Sequence, residues 1–169
     1  MKKNLIKMIC VAVLAITATS LTAQEKGEMA IGVYGAFGTG DSYSNIGFGA
    51  KFQWNVIDNL RLEPSFTYFL EKDMISMWDA SLNVHYLFPI ADKVIIYPLV
   101  GAGMLGTSVS VDFGEWGNVS GSTTDFGINL GGGIDFKLTD KLILNAEAKY
   151  KIVKDWNRIV ISAGVAYKF

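Results

Sequence analysis

Bulky apolar residues recur at every second position through most of this 169-residue chain. Ile46, Phe48, Ala50, Phe52, Trp54 and Val56 alternate with Gly47, Gly49, Lys51, Gln53 and Asn55. From Leu60 to Leu70 the apolar set is interleaved with Arg61, Glu63, Ser65, Thr67 and Phe69, and from Trp78 to Phe88 with Asp79, Ser81, Asn83, His85 and Leu87. The stretches Asp125 to Phe136 and Leu142 to Ile152 repeat the pattern, as does the terminal IVISAGVAYKF from Ile159 to Phe169. A period of two places each set on one face of a β-strand, and helical periodicity is hard to find. Two further strands, about Glu28 to Phe37 and Val94 to Leu105, are apolar or glycine on both faces. The pattern predicts eight strands.

The connections separate into two kinds. NVIDNL, FPIADKV and FKLTDKL centre on Asp58-Asn59, Asp92-Lys93 and Asp140-Lys141, so one short hairpin turn is expected three times, because Asp and Asn tolerate and hydrogen-bond the turn backbone. The other connections, roughly 38–44, 71–76, 106–123 and 153–157, are longer or more polar. Short turns at one end, variable loops at the other and an even strand number predict an antiparallel up-and-down meander.

The N-terminus begins with Lys2, Lys3 and Lys7, then an apolar run from Met8 to Ala18, then small and polar residues. That is the layout of a signal peptide, here residues 1–23, with the β-domain occupying 24–169. Cys10 is the sole cysteine and lies in the apolar run, so thiol chemistry and disulfides are not expected of the mature chain. With three lysines removed, twelve basic side chains face sixteen acidic ones, a net charge of −4 that offers no footprint for nucleic acid. Half the chain is apolar, yet nothing after the signal approaches the roughly 18 apolar residues of a membrane helix.

Side-chain size decides which face is which. The apolar stripes are bulky, whereas the alternate stripes carry Gly, Ser, Asn and Thr. An eight-stranded barrel leaves an interior barely wide enough for side chains, so the small stripe belongs inside and the bulky one outside. A soluble lipocalin-like binder, with the apolar stripe inside, is the opposite arrangement. Outward stripes of roughly 9–11 residues suit tilted strands crossing a membrane. Aromatics fall into two sets: Trp54, Tyr86, Phe88, Phe136, Tyr167 and Phe169 toward the short turns, and Phe37, Tyr68, Trp78, Phe126 and Tyr150 toward the loops. Two aromatic girdles around an aliphatic band are expected of a transmembrane barrel.

The terminal Phe169, with Tyr167, Val165 and alternate apolar residues back to Ile159, resembles the C-terminal signature of bacterial outer-membrane β-barrels. From Glu28 to Phe169 the chain is similar to small eight-stranded barrels of the OmpA/OmpX type, without a soluble peptidoglycan-binding domain. The resemblance implies an all-β transmembrane barrel in the outer membrane, both termini periplasmic, with lipids and the barrel-assembly machinery as partners and a monomeric state. The machinery would read the terminal strand.

Candidate chemistry is sparse. Lys51, Arg61, Glu63, Asp79, His85, Asp135, Glu147 and Lys149 all fall on inward stripes, and buried charges persist when paired. A salt-bridged lumen is therefore expected, with Arg61 and Glu63 reaching toward Glu147 and Lys149; a small-solute pore is the alternative. His85 is the sole histidine, so a lipid A-modifying activity would run through it, yet it points inward near the short-turn end with no serine in register. GAGMLG and NLGGGIDF lack phosphate-loop spacing, the Asn118-Val119-Ser120 sequon reads as chance, and Asp41, Asp112 and Glu115 have no metal-ligand spacing. No cofactor, metal or catalytic residue is expected. The long connection, residues 106–122, carries Phe113 and Trp116 and is the candidate contact for an extracellular ligand.

Overall fold

The computed structural model describes residues 26–40, 43–72, 74–112, 118–154 and 157–169. The expected signal peptide, and Phe113 and Trp116, lie outside these. The described strands are β1 (Met29–Gly40), β2 (Ser44–Ile57), β3 (Leu60–Lys72), β4 (Ile75–Tyr86), β5 (Phe88–Ala91), β6 (Val94–Asp112), β7 (Asn118–Lys137), β8 (Leu142–Val153) and β9 (Arg158–Lys168). Among the described residues no helix is present.

The sheet is a closed antiparallel meander. β4 and β5 both pair with β6, through His85–Leu99 and Phe88–Ile96, so they form one wall strand interrupted at Leu87. The Leu87 amide is still satisfied, donating to the Asn59 carbonyl at 2.8 Å. Each wall pairs with its neighbours in sequence, and β1 pairs with β9 from Ala30–Lys168 to Gly40–Arg158. The ring has eight walls. Closure through β1–β9 and β4–β6 pairs every wall on both sides except along the short β5, which pairs with β6 alone. Strand pairing all round is what a strand structure in hydrocarbon requires, since lipid offers backbone groups no partner.

The faces follow the predicted alternation. Val33, Ile46, Phe48, Phe66, Leu82, Val100 and Phe126 project outward, and Phe126 is 67% exposed. The girdle residues Phe37, Tyr68, Tyr150, Trp54, Tyr86, Phe136, Tyr167 and Phe169 are also exposed on the outside. A lipocalin-like arrangement is thereby reversed: the greasy surface is the exterior, far larger than water tolerates on a soluble monomer.

Two expectations about connections are corrected. Asp58-Asn59 and Asp92-Lys93 are two-residue turns closed by Ile57–Leu60 and Ala91–Val94. The third is longer, spanning 138–141, because the Thr139 hydroxyl accepts the Leu142 amide at 3.0 Å and draws the chain into a wider bend. The expected loop 106–123 is largely a hairpin: β6 and β7 stay paired from Val94–Phe136 to Asp112–Asn118. β7 leaves β8 at Gly127–Val153, so residues 118–126 run beyond the end of β8.

Inward glycines act as windows between neighbours. Tyr34, Gly49 and Thr67 share one row across β1, β2 and β3. The Tyr34 ring lies over Gly49, where a Cβ would stand 2.5 Å from its Cζ, and its hydroxyl reaches Thr67 Oγ1 at 2.7 Å. Tyr97, Gly133 and Glu147 repeat this across β6, β7 and β8, with the Tyr97 hydroxyl donating to Glu147 Oε2 at 3.4 Å. A third row, Asn83, Gly101 and Asn129, lets Asn129 Nδ2 donate to Asn83 Oδ1 at 2.8 Å. A narrow lumen is filled by laying side chains flat across missing ones.

Gly133→Val would place its Cβ 2.5 Å from Tyr97 Cζ and should destabilise the barrel by about 1–3 kcal/mol, the usual cost of overpacking. Gly35→Ala meets nothing within 4 Å and should leave stability unchanged. Urea unfolding in micelles, followed by the mobility difference between boiled and unboiled samples, measures both. Equal midpoints for the two variants would contradict the row packing.

Candidate functional site: the barrel lumen

The lumen is layered along its axis. At the loop end Tyr34, Ala36, Phe69, Met77 and Val160 form an apolar cap. Arg158 lies in it with its guanidinium 4.3 Å from the Phe69 ring centre, donating to Met77 Sδ at 3.1 Å and to Asn45 Oδ1. At the short-turn end Leu87, Ile95, Tyr97 and Leu99 pack together, and Ala30, Ile143 and Ala166 form a second apolar cluster. Between the caps the inward faces are mostly polar and buried, linked in part by ion pairs and hydrogen bonds.

Two polar tiers occupy this middle. In the tier nearer the loops, Lys151 on β8 reaches Asp79 on β4 at 2.5 Å and also donates to Ser81 Oγ at 3.1 Å. Ser81 bonds the other Asp79 oxygen at 2.5 Å, and Asn129 donates to Ser81 at 3.1 Å. In the tier nearer the short turns, Arg61 on β3 pairs with Asp135 on β7 at 2.8 Å and lies over the Tyr97 ring. Glu63 Oε2 accepts from Gln53 at 2.8 Å and faces Lys51 Nζ at 3.3 Å. His85 stacks on Tyr97 with ring centres 4.5 Å apart and planes 5° from parallel, its Nε2 3.8 Å from Glu63 Oε1. Lys149 Nζ is 3.8 Å from Glu147 Oε1.

All eight inward residues singled out from sequence are therefore buried in the lumen, none more than 6% exposed. Their pairing differs from expectation. Arg61 turns to Asp135 and Glu63 to Lys51, while Glu147 and Lys149 sit against each other. The stagger between tilted walls sets who meets whom, and alternation carries no record of it. Lys151, Arg158, Tyr97, Asn83 and Asn129 belong to the network and were not among the candidates. Lys151 shares the stripe of Glu147 and Lys149, which was a readable signal; Arg158 was obscured by its place beside a predicted loop. Tyr97 could not be oriented, because both faces of its strand are apolar.

The C-terminal residues stand apart from the lumen. Val165, Tyr167 and Phe169 face outward, the last 66% exposed, with its amide donating to the Met29 carbonyl at 3.1 Å. Lys168 Nζ bridges to Glu28 at 2.8 Å, fastening the chain end to the start of β1.

Removing one partner of a buried ion pair leaves the other charged and dry. Arg61→Met should therefore lower unfolding free energy by about 3–5 kcal/mol, whereas Arg61→Met with Asp135→Leu should recover most of the loss. Equilibrium unfolding in micelles measures both, and a harmless single substitution would show that Asp135 is solvated.

A sequence model of the outer membrane protein beta-barrel domain matches residues 8–169. No curated protein matches the sequence. Among solved structures, the N-terminal β-barrel domain of OprF from Pseudomonas aeruginosa superposes with a TM-score of 0.66 at 18% identity, covering 86% of this chain and 100% of that one. Neisserial surface protein A gives 0.64 at 19% identity, covering 84% and 96%. Ail, the attachment invasion locus protein of Yersinia pestis, gives 0.62 at 23% identity, covering 86% and 99%. At these identities the likeness is one of fold.

Proposed function

We propose a structural and surface-contact role for this chain, which belongs to the outer membrane protein β-barrel domain family and is a bacterial outer-membrane protein. The observation that carries the first half is the filled lumen. Ion pairs and amide bonds bridge walls two or three apart around the ring at two heights, between apolar caps at both ends. Such a bore serves as a strut rather than a conduit. His85 supports no catalytic reading, since neither ring nitrogen makes a hydrogen bond and its neighbours are a tyrosine ring and a carboxylate. In this reading residues 1–23 are a cleaved signal peptide, the barrel works as a monomer, and the assembly machinery engages Val165, Tyr167 and Phe169.

The surface-contact half rests on the hairpin. Over residues 118–126, β7 keeps β6 on one side, and among the described residues no strand pairs with it on the other. An unpaired edge is a template for another extended strand. The segment Asn118 to Thr124 is made of small residues, polar or glycine apart from Val119, and is free of proline and of charge, so nothing in its composition blunts the edge. We place this edge outside the cell and the termini in the periplasm.

Two measurements test the reading. Planar bilayers containing the purified protein should show no sustained single-channel steps; steps that change with Arg61→Ala would establish a pore instead. On intact cells, a cysteine at Ser122 should react with an impermeant maleimide, whereas one at Asp92 should react only after permeabilisation. The opposite result would invert the orientation.

A further inference from the structure

Glu63 on β3, His85 on β4 and Glu147 on β8 come from three walls, and one ligand atom of each lies within 4.8 Å of the other two. Separations of 22 and 62 residues in the chain gave no metal-ligand spacing to read; only barrel closure brings the three together. His85 is fully buried, yet neither ring nitrogen has a hydrogen-bond partner, an unusual state for a buried imidazole. Its Nε2 points toward Glu63 Oε1 without reaching it. We infer that Glu63, His85 and Glu147 form a binding site for a divalent transition-metal ion, zinc being the best fit, held in the barrel lumen.

The surrounding residues are arranged as supports for such ligands. Gln53 donates to Glu63 Oε2 and leaves Oε1 facing His85. Tyr97 stacks on the imidazole and donates to Glu147 Oε2, orienting two ligands at once. Metal-binding side chains are commonly held by such outer partners. Two carboxylates and a neutral imidazole supply two negative charges. The mixed nitrogen and oxygen donor set favours zinc over magnesium or calcium, which take oxygen. Bonds of zinc length in tetrahedral geometry would bring the donors to about 3.4 Å apart, so they must close by up to about 1.4 Å, within reach of two flexible glutamates.

Lys51 Nζ, 3.3 Å from Glu63 Oε2, competes for one carboxylate, and Lys149 competes for the other. Its ammonium stands 3.8 Å from Glu147 Oε1, too far for a hydrogen bond, and provides charge balance that a metal would replace. All three ligands are buried, so loading is coupled to folding rather than to diffusion into the closed barrel.

The test uses the full barrel domain, unfolded with chelator and refolded in detergent micelles with zinc chloride or magnesium chloride. After gel filtration, metal is counted by elemental analysis on samples that retain fast unboiled mobility. Wild type should keep about one zinc per chain and no magnesium. His85→Gln and Glu147→Gln should keep none, and Lys149→Met should load at a lower zinc concentration than wild type. Should His85→Gln not refold, Glu147→Gln carries the same reading. A wild-type barrel without zinc overturns the inference, as do glutamine variants that retain it. So does a stability that responds to pH and not to zinc, because Glu63 and Glu147 would then be sharing a proton.

Discussion

A ring of eight strands encloses a bore about as wide as the side chains that fill it, and this single constraint orders the rest of the molecule. Eight inward stripes cannot all be bulky. Where Tyr34 or Tyr97 occupies the bore, the next strand supplies Gly49 or Gly133, and the strand beyond supplies the hydrogen-bond partner. Where charges occupy it, partners lie within 4 Å, one to three walls away for Lys51–Glu63, Arg61–Asp135 and Asp79–Lys151 and on the same wall for Glu147–Lys149. The same narrowness explains the caps. With hydrophobic clusters at both ends the paired charges are kept from water, which strengthens each attraction and raises the penalty for leaving any one of them alone.

Much of this was legible. Strict alternation located the walls, and side-chain size told inside from outside, so Lys51, Arg61, Glu63 and the rest were placed on the lumen face before any geometry was known. What could not be read falls into two kinds. Contacts across the bore depend on stagger, a property of closure that involves strands far apart in sequence, and so Arg61 meets Asp135 in place of Glu147. The hairpin beyond the barrel was hidden for another reason. A strand crossing hydrocarbon must alternate because one face meets lipid, but past the rim that demand ends. Asn118 to Thr124 then pair as a ladder with no apolar stripe to announce it.

The polar lumen also bears on how the barrel finds its register. Burying an ion pair contributes little net stability, because desolvation offsets most of the attraction. Its effect on alternatives is larger. Slipping β8 by one residue would turn Asn145, Glu147, Lys149 and Lys151 to the outside and Leu144, Ala146, Ala148 and Tyr150 to the inside. A lysine facing lipid at mid-membrane costs about 2–4 kcal/mol, and β8 alone would expose two. An inward stripe of alanine and leucine would pack as well in the native register, yet leave the slipped one nearly as good. The charges on β3, β4, β7 and β8 therefore separate the native pairing from its neighbours by far more than they stabilise it, and a chain with apolar residues on every outward face needs that separation to close one way.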